Sequence, residues 1–209
     1  MSPIEENPLF DSSKKALAFA VNHTRMLYSQ PLMTKAANYL ADKSDPDKKS
    51  GVQKPFSLAG LDGAAQAGMI YAQLNKLSDF QIYVLVGRVA KPTFPCSCRS
   101  ACCMGVRPNP EWTDAIKQIT ERVKAEVAAQ QEKKKKKTST APQLRRMLVE
   151  KYFGRNYVLA DLAEQFQVTE ATVIAHRKPI TDILNGVERS GWTALDSYLT
   201  ELGIVGAIV

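Results

Sequence analysis

Histidine is scarce in this 209-residue chain, with only His23 and His176 present. A serine or cysteine nucleophile would therefore have almost no imidazole base to draw on. The phosphate-cradling glycine loop, the H-E-x-x-H metalloprotease helix and the G-x-S-x-G nucleophile elbow are all missing. No catalysis is expected. The apolar runs fall far short of a membrane span. Met1-Ser2-Pro3-Ile4-Glu5-Glu6 is acidic and polar, without the basic lead-in of a secretion signal, so a cytoplasmic protein is expected. Cysteine is absent outside Cys96–Cys103, which excludes a disulfide framework spread along the chain. Acid is in deficit: 21 Asp and Glu against 28 Lys and Arg give a net charge of +7. That balance moderately favours a polyanionic partner. A hydrophobic content of 44% suffices for the core of one domain or two small ones.

What is present reads as mostly α. Residues 1–13 look loosely ordered, and a helix begins at Lys14 with Leu17, Ala20, Thr24, Leu27 and Tyr28 on one face. Pro31 breaks it, and a second stripe follows at Leu32, Ala36, Tyr39 and Leu40, ahead of a polar loop from Asp45 to Gly51. Leu61 to Leu77 reads as a helix whose Ala64, Gly68 and Ala72 could admit a close neighbour. Ser78 can cap a helix over Phe80–Ala90, although β-branched content there also suits a strand. Lys91 to Pro110 reads as a proline-rich loop. Asn109-Pro110-Glu111 then starts a helix with a cap, a first-turn proline and an acid on the positive dipole end. Trp112, Ile116, Ile119 and Val123 form its stripe. It ends in Lys133–Lys137, and Thr138-Ser139-Thr140 reads as a linker. The expected divisions are residues 1–55, partly ordered helices; 56–137, a helical region with the cysteine cluster and the lysine-tailed helix; and 138–209, a DNA-binding domain.

The third division opens with a helix from Pro142, carrying Leu144, Leu148, Lys151 and Tyr152, and a turn at Phe153–Asn156. Leu159 to Lys178, LADLAEQFQVTEATVIAHRK, then reads as a helix-turn-helix, whose second helix enters the major groove of DNA. Leu159, Leu162, Ala163 and Phe166 form the first helix's apolar stripe. Gln167-Val168-Thr169 makes the turn, with Val168 pointing inward and Thr169 capping the second helix. The turn usually carries glycine for a positive φ, and here Gln167 bears that strain. With Val173 inward, Glu170, Ala171, Ile174, Ala175 and Lys178 face out. Glu170 suits a cytosine amino group, Ala171 or Ile174 a thymine methyl, and Thr169 or Thr172 a base or phosphate. Arg177 and Lys178 suit phosphates, and His176 falls on the inward side. Lys133 to Arg189 holds 12 Lys and Arg against 6 Asp and Glu, so the basic excess gathers here. The helix is expected to pass Pro179, kinked, and end near Val187, with Ser190-Gly191 separating a final helix of Trp192, Leu195, Leu199 and Leu202 and an apolar tail after it. Two ordinary packed helices without a DNA role are the alternative.

Cys96, Cys98, Cys102 and Cys103 supply the ligand count for a tetrahedral structural Zn2+. The C-x-C-x3-C-C spacing is more compact than paired C-x2-C knuckles. Unliganded reduced thiols, or a redox pair, are the alternatives. The lysine run is either a solvated helix end or an added source of phosphate contacts.

Two pieces of the C-terminal half resemble the late-gene antitermination proteins of lambdoid bacteriophages, the Q proteins. Met147-Leu148-Val149-Glu150-Lys151-Tyr152-Phe153, followed by the helix-turn-helix, looks like the lead-in of one branch. Arg177-Lys178-Pro179-Ile180-Thr181-Asp182-Ile183-Leu184 is similar to a helix of another. Asp62-Gly63-Ala64-Ala65-Gln66-Ala67-Gly68-Met69 looks like their small-residue helix, and cysteines lie between, as in the zinc-containing branch. The resemblance implies a phage or prophage transcription regulator in a bacterial host cell. Such a protein binds DNA at the late promoter, loads onto paused RNA polymerase and suppresses termination. It makes Thr169 to Lys178 the DNA reader and the four cysteines the zinc site. Residues 1–55 lie outside it. An operator-binding dimeric repressor or activator, and an interaction protein with no DNA role, are the other readings.

Overall fold

The computed structural model describes residues 9–29, 61–96, 104–133 and 140–206. The chain is mostly α and divides into two compact units, Leu77–Ala194 and the pairing of Met1–Lys76 with Leu195–Val209. Among the described residues no helix is long and apolar enough to cross a membrane.

In the split unit, α1 (Ser13–Ser29) packs on α2 (Leu61–Leu74). Ser12 caps α1 by accepting from the Lys15 N–H at 3.4 Å. Ala16, Leu17, Ala20 and Val21 line its buried face. The loose N-terminus expected up to residue 13 is corrected at Phe10, which is buried and donates its N–H to the Ile204 carbonyl at 3.1 Å. On α2 the buried face is Ala67, Ile70 and Leu74. Ala64, Gly68 and Ala72, expected to meet a neighbouring helix, are instead exposed, because the larger residues on the opposite face bury more apolar area. The stripe at 32–40, the loop at 45–51 and the end of the tail lie outside the described residues, as do the side chains of Thr24, Leu27 and Tyr28.

In the larger unit, α3 (Asp79–Val89) confirms the helical reading of the β-branched run. Ser78 and Gln81 close a reciprocal capping box that satisfies donors a strand would not expose. The proline-rich segment after it is not all loop. β1 (Thr93–Pro95) and β2 (Val106–Pro108) pair antiparallel, with Phe94 opposite Arg107. Asn109 is buried and accepts from the Glu111 N–H at 3.0 Å, so it caps α4 (Pro110–Lys133) as expected. Trp112, Ile116, Ile119 and Val123 are all buried. α4 packs between α3 and α5 (Pro142–Tyr152), and Leu144, Leu148 and Val149 complete that core. Gly154, at φ +98°, turns the chain toward α6 (Leu159–Gln165).

The last helix, α7 (Glu170–Glu201), departs from expectation. It runs unbroken through Ser190-Gly191, where a stop was expected. Gly191 is buried, and a Cβ there would meet Leu85 and Gln81 at 3.4 Å. The glycine is therefore a site of close helix approach on α3 rather than a terminator. Val173, Ile180, Leu184, Leu195 and Leu199 are its buried stripe.

Candidate nucleic-acid interface

The segment from α6 into α7 is built from a specific helix ending. The Gln167 N–H donates to the Glu164 carbonyl at 3.1 Å and the Val168 N–H to the Ala163 carbonyl at 2.9 Å. Gln167 itself lies at φ +54°, the one non-glycine residue with positive φ among the described residues. These are the paired bonds of a Schellman ending, with glutamine in the position that glycine usually fills. Val168 is corrected from its inward expectation. Its backbone closes the helix end and its side chain is left 36% exposed.

Thr169 starts α7. Its Oγ1 accepts from the Thr172 N–H at 3.2 Å and shares a 2.8 Å hydrogen bond with the Thr172 hydroxyl. Leu162, Ala163 and Val173 are buried, and Leu159 and Phe166 are half-buried. Glu170, Ala171, Ala175, Arg177 and Lys178 are exposed together with Thr169, while Thr172 is half-buried. Ile174 is 49% exposed on the same side, an apolar residue with no core role. The expected reading residues thus share one end of α7. Pro179 follows immediately and lies inside the helix.

Three polar clusters lie on this helix and its neighbours, and apart from the Arg146–Glu150 pair at i,i+4 their links had no local signal in the sequence. His176 is half-buried and its Nδ1 lies 2.7 Å from the Thr140 hydroxyl. Burial, and then the positive charge of Arg145, hold the imidazole below its usual pKa. Arg145 is buried and donates to the Thr140 carbonyl at 2.8 Å. On α5, buried Glu150 accepts from Tyr157 at 2.6 Å and from Arg146 at 2.9 Å, and Lys151 bonds the Tyr157 carbonyl. Further along α7, Arg88 forks onto Glu188 at 2.8 and 2.7 Å. Tyr152 also donates to Glu188, at 2.7 Å. Burial first, then the hydrogen bond to Glu188, push the Tyr152 phenol up to about 12. Burial alone would raise the Glu188 pKa, but its bonds to Arg88 and Tyr152 outweigh that and hold the carboxyl below its usual range.

The ribbon positions one end of the cysteine cluster. Cys96 follows β1, and its N–H donates to the Gly105 carbonyl at 2.8 Å, closing the base of the hairpin. Cys98, Cys102 and Cys103 lie outside the described residues, as do Lys134 to Lys137 of the lysine run. Among the described residues no three metal-ligating side chains come together. No protein-family model, no curated protein and no solved structure matches the chain.

Proposed function

We propose that the chain is a DNA-binding transcription regulator, with α6, its turn and the first turns of α7 acting as a helix-turn-helix on double-stranded DNA. The observation that carries this reading is the α7 face. Glu170, Ala171, Ile174, Ala175 and Lys178 are exposed together immediately after a tight turn held at a strained Gln167. A helix end with small outward residues can enter a groove about 12 Å wide without side-chain collision. Binding of a labelled duplex, followed across 50 to about 200 mM salt, tests it. Absence of binding at the low-salt end removes the reading.

Its sharper form, from the resemblance, is a Q-like phage or prophage antiterminator that uses DNA to load onto bacterial RNA polymerase. The reading face favours this form because it carries little bidentate equipment for guanine or adenine, with Arg177 and Lys178 as its exposed cations. A protein held by a second partner needs less from DNA alone. In vitro transcription through a terminator downstream of a phage late promoter should show increased readthrough. Unchanged readthrough would sink the antitermination claim.

Cys96, Cys98, Cys102 and Cys103 are proposed to hold a structural Zn2+ at the ribbon tip. The hairpin closure at Cys96–Gly105 supports this by bringing together the ends of the segment that carries the thiols. Metal analysis of chelator-free protein should give one zinc per chain, lost in Cys102→Ser.

A further inference from the structure

The exposed side of α7 has a defined order of chemistry. Glu170, Ile174 and Lys178 recur at four-residue spacing and are all exposed. At about 100° per residue, Ile174 falls near the middle of the exposed arc, with Ala171 and Ala175 on one side of it and Arg177 on the other. Ile174 is 49% exposed, whereas Val173 and Ile180 on the same helix are buried. Among the described residues, Glu170, Arg177 and Lys178 have no ion-pair partner.

Two neighbouring hydroxyls are withdrawn from base reading. Thr169 Oγ1 accepts from the Thr172 N–H at 3.2 Å, and the two hydroxyls share a 2.8 Å bond. Both are thereby committed to capping the helix. Apart from the cations, the arc offers one carboxylate and one branched aliphatic side chain beside two alanine methyls. A carboxylate only accepts hydrogen bonds. It suits a base edge that donates, cytosine N4 or adenine N6, and is repelled by the acceptors of guanine and by thymine O4. Among the bases of unmodified DNA, thymine alone carries a methyl in the major groove. Ala171 and Ala175 are short, so Ile174 is the apolar side chain that projects furthest from this arc. Its β-branch restricts χ1 within a helix, and little rotamer freedom is lost when it meets a surface.

Resting on the DNA-binding reading, we propose that Ile174 is the specificity-determining residue of α7 and selects a thymine methyl, with Glu170 one turn earlier selecting cytosine or adenine at a nearby base pair. Arg177 and Lys178 place the helix on phosphates and carry no sequence preference of their own. The choice of thymine is then apolar in origin, resting on a methyl group and not on a hydrogen bond.

Replacing thymine by uracil removes only that methyl, so it isolates the contact. Duplexes are first selected by the full chain from a random-sequence library at about 50 mM salt, where phosphate contacts are strongest. The bound pool should be enriched in thymine with cytosine or adenine close by. One selected duplex is then remade with uracil in place of thymine. The parent should bind the uracil form about four-fold more weakly for each methyl it covers. Ile174→Ala, checked for folding by its thermal melt, should bind the two forms nearly alike. It should keep the parent's salt slope, because no phosphate contact is lost. Lys178→Ala should weaken both forms equally and lower the slope by about 0.9. Selection repeated with Glu170→Ala should enrich thymine without the nearby cytosine or adenine. A parent indifferent to uracil, an Ile174→Ala variant that discriminates as the parent does, or a Glu170→Ala variant that enriches the parent's bases overturns the proposal. Duplex binding with no enriched sequence does the same. Absence of duplex binding by the parent in the same low salt overturns the DNA reading beneath it.

Discussion

Gln167 offers a direct measurement of strain at the turn. Its φ of +54° places a side-chain-bearing residue where Cβ crowds the carbonyl oxygen. That conformation costs about 1–2 kcal/mol for an L-residue. Gly at the same place removes the crowding but loses more backbone freedom on folding, about 0.5–1 kcal/mol. Gln167 is exposed, so truncation forfeits no core contact. Gln167→Gly should therefore stabilise the protein by about 0.5–1 kcal/mol, with Tm rising by roughly 2–3 °C for a chain of this size. Gln167→Ala keeps both Cβ and strain and should change stability by less than about 0.5 kcal/mol. Gly154, at φ +98° with open space around it, is the reciprocal control. Gly154→Ala should destabilise by about 1–2 kcal/mol. Urea denaturation of the three variants gives the comparison. If Gln167→Gly is neutral or destabilising while Gly154→Ala behaves as stated, the turn is not strained and the argument fails.

Other consequences follow from the clusters. Because burial and Arg145 depress the His176 pKa below 6.5, the folded state binds fewer protons than the unfolded state, so stability is held above pH 6.5 and lost as pH falls below it. Denaturation from pH 7.5 to 5.5 should show this slope, flattened in His176→Gln. Tyr152, raised from 10 to about 12, favours folding while protonated, so its contribution is complete below pH 10 and lost as pH rises toward about 12. Ultraviolet titration should show a late-ionising phenol that Tyr152→Phe removes. Glu188→Gln weakens the fork from Arg88, and a loss of about 1.5–3 kcal/mol is expected by urea titration. Gly191→Ala should be tolerated, since its Cβ would sit at 3.4 Å from its neighbours, whereas Gly191→Leu should cost about 1–3 kcal/mol in a thermal melt.

The elements that were legible in the sequence carried their signal locally. Asn109 three residues before Trp112, and Ser78 three before Gln81, announce helix starts because caps act within one turn. Trp112, Ile116, Ile119 and Val123 announce a buried face because their spacing is helical. The glutamine in the turn announced its own strain. What failed depended on partners distant in sequence. Gly191 looks like a stop when only its neighbours are read, and becomes a packing position once Leu85 lies against it. Ala64, Gly68 and Ala72 look like a contact face until Ala67, Ile70 and Leu74 prove to be the buried one. The ribbon was hidden because strands as short as Thr93–Pro95, holding a proline, show no alternation. The His176–Thr140 contact spans 36 residues and has no periodicity at all.

The course of α7 shows why these errors matter for function. Had Ser190-Gly191 ended the helix, Val173, Ile180, Leu184 and Glu188 would still hold its first part, but Leu195 and Leu199 would lie on a separate element. Instead, one helix from Glu170 to Glu201 carries Ile180, Leu184, Leu195 and Leu199 into buried positions and is tied sideways by Glu188 to Arg88 and Tyr152. Within the larger unit, the segment through Lys178 is held by Val173, Ile180, Leu184 and the Glu188 cluster. Pro179 lies at the transition. It has no N–H for the Ala175 carbonyl, and Ala175 is exposed, so water can satisfy that acceptor at little cost. The helix thus lacks one backbone hydrogen bond where the exposed segment meets the packed one. On the proposed DNA-binding reading, a face weak in base-reading groups would take its register on a duplex from phosphate contacts rather than from base edges. A proline at the base of the exposed segment suits the proposed mode of binding, in which placement on the DNA backbone would precede any reading of sequence.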